Sequence, residues 1–228
     1  MTTRNTATKL ALGLTAIAAI CGSTASAAQI DHIMLGIDDL DRGVQAFEAT
    51  TGVKPVYGGK HPGGTHNALV SLGDGIYLEI LAVQKGVTVP ADYADLKKMK
   101  ALTPIGWAVS SKDGAELRNR LSAAGIAVSE PGDGSRTTPT GSKLSWQSFL
   151  LKESSPEVPF FIVWSEQTAH PSTTSPSGCK LQQWSIASPR VKDLDQMRQA
   201  LDLRIDVAEA KTTTMRLSLT CPKGAVTF

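Results

Sequence analysis

His32 and Glu79 are the residues in this chain whose types most invite chemistry. An imidazole and a carboxylate on one wall can begin a divalent-metal site or work as an acid–base pair. The plainer alternative is a packed core histidine and a glutamate paired with a Lys or Arg. The choice depends on whether the two side chains share a face, and alternation speaks to that. In residues 30–37, Ile33, Leu35 and Ile37 point one way, and Ile30, His32 and Met34 the other. In residues 76–83, Leu78 and Ile80 share a face, while Tyr77, Glu79 and Leu81 share the opposite one. A helix laid over the Ile/Leu face leaves His32 and Glu79 looking out of the uncovered side, with Tyr77 beside them as a ligand contact.

The elements that must position the pair read strand, helix, strand, loop, hairpin over residues 30–83. Asp38 or Asp39 caps a helix whose Leu40, Val44 and Phe47 form one buried stripe, and Gly52 sits where a C-terminal cap belongs. Residues 53–57 make a short second strand. Residues 58–65 are so rich in Gly and Pro that they read as loop. Residues 67–72 and 76–83 are strands joined at Gly73-Asp74-Gly75, a strong hairpin signal. A two-residue Asp74-Gly75 turn pairs Val70 with Glu79 and puts His66 on Glu79's face. Four residues at about 3.3 Å each then leave His66 roughly 13 Å along the strand, beyond shared metal bonds. A three-residue turn brings Asn67 to that face instead. His61, His66 and Asn67 are therefore rim or substrate-contact candidates, or simply polar loop residues.

Residues 1–28 have the form of an export leader. Arg4 and Lys9 precede an apolar run over residues 10–20, and Ala25-Ser26-Ala27 supplies the small-residue cleavage pattern. The run is too short to span a membrane. Cleavage removes two of the 23 basic residues and no acid, so 21 basic side chains face 21 acidic ones. A neutral mature chain without a basic run has no footprint for nucleic acid or for a membrane surface. Its destination is the periplasm or the exterior. Cys179 and Cys221 remain, and in an oxidising compartment they can pair or stay as buried thiols.

Further along, the pattern restarts. A connector over residues 85–101 leads to a strand at 104–109, a helix at 113–124, short strand residues 126–128, a polar loop at 130–142, and strands at 144–151 and 158–164. That order repeats the first unit at a period of about 75 residues. A linker rich in Ser, Thr and Pro (169–178) precedes a third, partial copy with a helix at 191–201. The organisation expected is a leader (1–28), paired modules (29–168), and a linker with a partial module packed on the same domain (169–228). Trp107 and Trp164 fall on neighbouring strands of the second module, as an apolar cleft wall or as ordinary core. His170, on the linker, could fold over the cleft.

The repeated unit resembles the glyoxalase-like domain proteins of the vicinal oxygen chelate superfamily. The residues that carry the resemblance are Asp31-His32-Ile33, Asp39-Leu40-Asp41, the run from Gly58-Gly59-Lys60-His61 through His66-Asn67-Ala68-Leu69, Gly73-Asp74-Gly75 with Tyr77-Leu78-Glu79, and Pro159-Phe160-Phe161 with Trp164 and His170-Pro171. It implies an α+β fold of repeated βαβββ modules whose curved mixed sheets enclose a cleft. It also implies one divalent ion, of unspecified identity, on His32 and Glu79, with Glu79 as base in lyase- or isomerase-type chemistry on a small oxygen-rich molecule. The second module departs from the pattern, with Gly106, Trp107 and Ile162 where ligands belong. The competing expectation is therefore a metal-free binding or sequestering protein. A homodimer, in which a second chain completes the cleft, is compatible with either. No nucleophile elbow, phosphate-binding Gly loop or glycosidase carboxylate pair is present.

Overall fold

The computed structural model describes Met1 and residues 28–228, so the expected leader lies, but for its two ends, outside the described residues. The first unit comprises β1 (Gln29–Gly36), α1 (Leu40–Thr51), β2 (Val56–Lys60), β3 (Thr65–Gly73) and β4 (Ile76–Val83). Asp39 caps α1 by accepting the Arg42 N–H at 3.1 Å. Gly52 ends it at φ 81°, a left-handed conformation that costs a residue without Cβ nothing. The second unit comprises β5 (Thr103–Ser110), α2 (Gly114–Ala123), β6 (Gly132–Thr137), β7 (Lys143–Phe149) and β8 (Phe160–Trp164).

The two units share one eight-stranded sheet in the order β2-β3-β4-β1-β5-β8-β7-β6. The order is mirrored about the antiparallel β1/β5 seam, with parallel β1/β4 and β5/β8 pairs on either side. This is the α+β architecture of repeated βαβββ modules. The sheet curves until its edge strands β2 and β6 come into contact. Ile33, Leu35, Leu78, Ile80, Trp107 and Phe161 are buried on the convex face, which packs on Leu40 and Phe47 of α1 and Leu117 and Leu121 of α2.

After a short helix, α3 (Pro171–Thr174), the chain forms β9 (Lys180–Ser188), α4 (Val191–Leu201), β10 (Asp206–Glu209), β11 (Thr214–Cys221) and β12 (Gly224–Thr227). These strands make a separate sheet, β10-β9-β11-β12, whose Trp184, Ile186 and Leu217 join the same core. On the concave side, a 3₁₀ segment (Ala91–Lys98) lodges Leu96 against Leu81 and Val83 and closes one end.

Three local expectations are corrected. β2 begins at Val56 and runs through Gly58 and Gly59, because edge-strand pairing with β3 needs no side chain at those positions. The second unit's partner strand is β6, inside the stretch expected as polar loop, while Val128 makes only an isolated bridge with Leu151. In the hairpin, an irregularity between Ser71 and Gly73 pairs Leu69, not Val70, with Glu79. That shift turns Asn67 to Glu79's face and His66 away from it.

Cys179 and Cys221 form a disulfide across 42 residues, fastening the start of β9 to the end of β11. Replacing both by Ser is expected to lower unfolding free energy by about 2–4 kcal/mol, the usual cost of releasing such a loop. Denaturant unfolding of the double variant against the oxidised wild type checks it.

Candidate functional site

His32 is placed by a break in strand register. In the β1/β5 pairing Ile30 faces Val109 and His32 faces Ala108, so Asp31 is an extra residue. A bulge re-aims the side chain it carries. Asp31 is wholly buried and meets His32 Nδ1 at 2.7 Å through Oδ1. Tyr77 stacks on the imidazole with ring centroids 4.6 Å apart, and Phe160 meets it edge-on at 5.3 Å. Held on three sides, His32 directs Nε2 at Glu79 Oε2, 3.6 Å away and just too far for a direct hydrogen bond.

Glu79 is fixed from its other oxygen. Asn67 Nδ2 donates to Oε1 at 2.7 Å and also lies 3.4 Å from His61 Nε2. His61 Nε2 stands 3.8 Å from the same Oε1, so one carboxylate is approached by two imidazoles, His32 on one oxygen and His61 on the other. His61 is anchored by Thr65 Oγ1, 2.9 Å from Nδ1, and Gln84 Nε2 donates to both the His61 and Thr65 carbonyls. Asn67 Oδ1 is buried without a hydrogen-bond partner. It lies against Gly58, where any Cβ would collide with it.

Asp31 has a second set of partners. Trp164 Nε1 donates to Oδ2 at 2.9 Å, and His170 Nε2 lies 3.1 Å from the same oxygen. Burial pushes the Asp31 carboxyl up, but hydrogen bonds with His170 and His32, reinforced by their charges, outweigh it and hold the group far below the ordinary carboxylate range. Burial also raises the Tyr77 phenol well above its usual value, and the charges of Asp31 and Glu79 add to the effect. For His61, burial dominates and depresses the pKa, against the opposing pull of Glu79.

The remaining candidates divide. Asn67, Tyr77 and His61 join His32 and Glu79, and Trp164 reaches the cluster through Asp31. Trp107 does not: it lies opposite Ile33 on the convex side, wholly buried, its Nε1 donating to the Glu157 carbonyl at 2.9 Å. His66 pairs with Ala82 and packs edge-on against Tyr57 at 6.1 Å, away from Glu79. Sequence reasoning missed two members. Asp31 was hidden because strict alternation sends neighbours to opposite faces, and a bulge leaves no mark in composition. Arg136 lies in a stretch without apolar periodicity, yet the residue is buried and its guanidinium donates to the Gly58 carbonyl across the β2/β6 edges.

A groove of about 740 Å³ opens beside the cluster, lined by His61, Lys60, Tyr57, Ser135 and Arg136 among others. A second, of about 480 Å³, is lined by Trp146 and Trp164 and also touches Ser135. His32 and Glu79 are 2% and 5% exposed, so His61 is the end of the row that a molecule in the larger groove meets first.

Residues 30–202 match the family described as the glyoxalase-like domain. The chain belongs to that family. Among solved structures, a hypothetical protein from Staphylococcus aureus shares this fold at 19% identity and a TM-score of 0.62, covering 82% of this chain and 88% of that one. Methylmalonyl-CoA epimerase from Mycobacterium tuberculosis aligns at 15% identity and a TM-score of 0.43, over 64% of this chain and 92% of the epimerase. A search among curated proteins gives no match.

The resemblance implies a divalent ion, and the donor set can be tested against it. His32 and Glu79 are ligands of the right chemistry, and a clamp of Asp31 on Nδ1 is the support a metal-binding imidazole usually has. Against that, among the described residues no group of three or more His, Cys, Asp or Glu is arranged to hold an ion. The second module presents Ile162 and Gly106 in place of further ligands, and Trp107 is turned into the core. His32 and Glu79 are thus two ligands without a third among the described residues, too few to enclose an ion from this chain alone.

The Asp31 cluster carries a pH signature. A carboxyl whose folded pKa is depressed stabilises the fold above its unfolded value and loses that contribution as pH falls below it. Asp31→Asn is expected to cost about 1–3 kcal/mol at neutral pH and to flatten the loss of wild-type stability below about pH 4. Urea midpoints from pH 7 to pH 3 for both proteins check it.

Proposed function

We propose that this chain binds a small oxygen-rich molecule in the groove at His61, and that the row His61, Glu79 and His32 moves a proton on it, with Glu79 as base. One observation carries the reading: a nearly buried carboxylate is approached by imidazoles at 3.6 and 3.8 Å, and one of these, His61, lines a groove. A positioned carboxylate in such a setting removes a proton from carbon beside a carbonyl, and the substrate oxygen takes up the negative charge. Return of the proton to the same or the adjacent carbon is an isomerisation. Loss of a leaving group instead makes the reaction a lyase step. Asn67 holds one Glu79 oxygen still while the other accepts the proton.

His32 and Glu79 are the residues that would hold a divalent ion, which would supply carbonyl polarisation there; the Asp31 clamp on His32 favours it. A binding protein without catalysis is favoured by the apolar residues at the second module's ligand positions. We also propose that the mature chain acts in the periplasm or outside the cell, which the leader pattern and the Cys179–Cys221 disulfide support.

Proton exchange in D₂O distinguishes these outcomes. Dihydroxyacetone, glyceraldehyde and pyruvate are incubated with the purified mature chain, and deuterium beside the carbonyl is followed by NMR. Exchange above the buffer rate is expected for at least one compound, with Glu79→Gln slower by about 100-fold or more. Equal rates in wild type and variant reject Glu79 as base, and binding without exchange favours the sequestering protein. Metal analysis adds the remaining arm: a stoichiometric divalent ion lost in His32→Ala supports ligation, and equal background levels in both proteins oppose it.

A further inference from the structure

We propose that Arg136 anchors an oxyanion, a carboxylate or a phosphate group, on the molecule this groove takes. It rests on the proposed binding of a ligand in the groove at His61, but not on proton transfer. It adds the charge of that ligand.

Arg136 projects from β6 and is 6% exposed. A guanidinium carries five N–H donors in a rigid fork. Among the described residues only one acceptor meets it, the Gly58 carbonyl, bonded by Nη1, and no carboxylate is within ion-pair distance. The other N–H groups of Arg136 are not among the buried atoms left without a partner, and Arg136 lines the groove, so these donors open toward it and a ligand there can complete them. Burial depresses the guanidinium from its ordinary value, and the Tyr77 phenol and Glu79 only partly offset that.

The groove itself has the same polarity. Arg136, Lys60 and His61 line it, together with the hydroxyl residues Ser135 and Thr138, and no Asp or Glu does. Cations, hydroxyls and no acid are the surroundings of a bound oxyanion. The remaining acid nearby, Glu79, lies behind Asn67 and His61. Gly58 links the two ends: its carbonyl accepts from Arg136, and its α-carbon abuts the orphaned Asn67 Oδ1. A molecule with an anionic end on Arg136 would therefore extend toward the His61–Glu79 end of the row. If Arg136 served only to fasten β2 to β6, the single bond to Gly58 would suffice and ligand charge would be irrelevant.

The test titrates the mature chain with pyruvate, with inorganic phosphate, and with methyl pyruvate, which keeps the oxo group and loses the charge. His61 ring resonances report binding, and His66 and His170 report that the fold is intact. Expected is saturable binding of pyruvate or phosphate, weakened by added NaCl, with methyl pyruvate at least tenfold weaker. The tighter of the two anions identifies carboxylate or phosphate as the group. Arg136→Gln should weaken anion binding at least tenfold, and Arg136→Lys, which keeps the charge, should restore part of it. Should Arg136→Gln fail to fold, the wild-type preference for anion over ester decides alone. Equal affinity for pyruvate and its ester, no binding of either anion, or undiminished binding by folded Arg136→Gln overturns the proposal. Glu79→Gln separates this result from the preceding one: it should keep or strengthen anion binding even where proton exchange is abolished.

Discussion

The site depends on one buried carboxylate. Asp31 accepts from or faces His32 on β1, Trp164 on β8 and His170 ahead of α3, so three separate parts of the chain converge on two oxygens. A wholly buried carboxylate is tolerated only when both oxygens are satisfied, and here they are. The consequence is positional. With Nδ1 committed to Asp31 and its ring stacked on Tyr77, His32 can aim only Nε2 at Glu79. The linker that looked free in composition is tied down by the same anion, because His170 packs on Trp164 and Tyr77 while it contacts Asp31.

The mirrored sheet divides its labour unevenly. Positions related across the β1/β5 seam carry polar groups in the first unit and lack them in the second, where Gly106 on β5 and Ile162 on β8 stand at the ligand positions that His32 and Glu79 hold on β1 and β4. Repetition of the module supplies a curved wall on both sides, but the chemistry is concentrated on one. The second unit returns to the site through longer reaches: Trp164 to Asp31, and Arg136 across the gap where β6 meets β2. The trough between these edges is thus built by both units although only one furnishes the acid and the imidazoles.

Much of this was legible in the sequence because strands and capped helices impose their own periods. Alternation placed Ile33, Leu35, Leu78 and Ile80 under α1 and His32 and Glu79 on the other face, and Asp39 and Gly52 marked the ends of α1. Illegible parts share a cause: they depend on register, not on period. A bulge at Asp31, an irregular hairpin before Gly73, and an edge strand made of Gly, Asp, Ser, Arg and Thr have no apolar signature. Each nonetheless moved a site residue, bringing in Asp31, exchanging His66 for Asn67, and carrying Arg136 to the groove. Trp107 was ambiguous for the opposite reason, since a tryptophan on a strand fits either face until the β1/β5 register is known.

The central claim is that Asp31 fixes the His32 ring so that Nδ1 carries a proton toward it and Nε2 faces Glu79. Long-range ¹H–¹⁵N NMR of the histidine rings tests this directly. The account predicts a His32 Nδ1–H signal, slow to exchange with solvent, that disappears in Asp31→Ala. A His32 ring protonated at Nε2 alone, with a spectrum unchanged by Asp31→Ala, would contradict it.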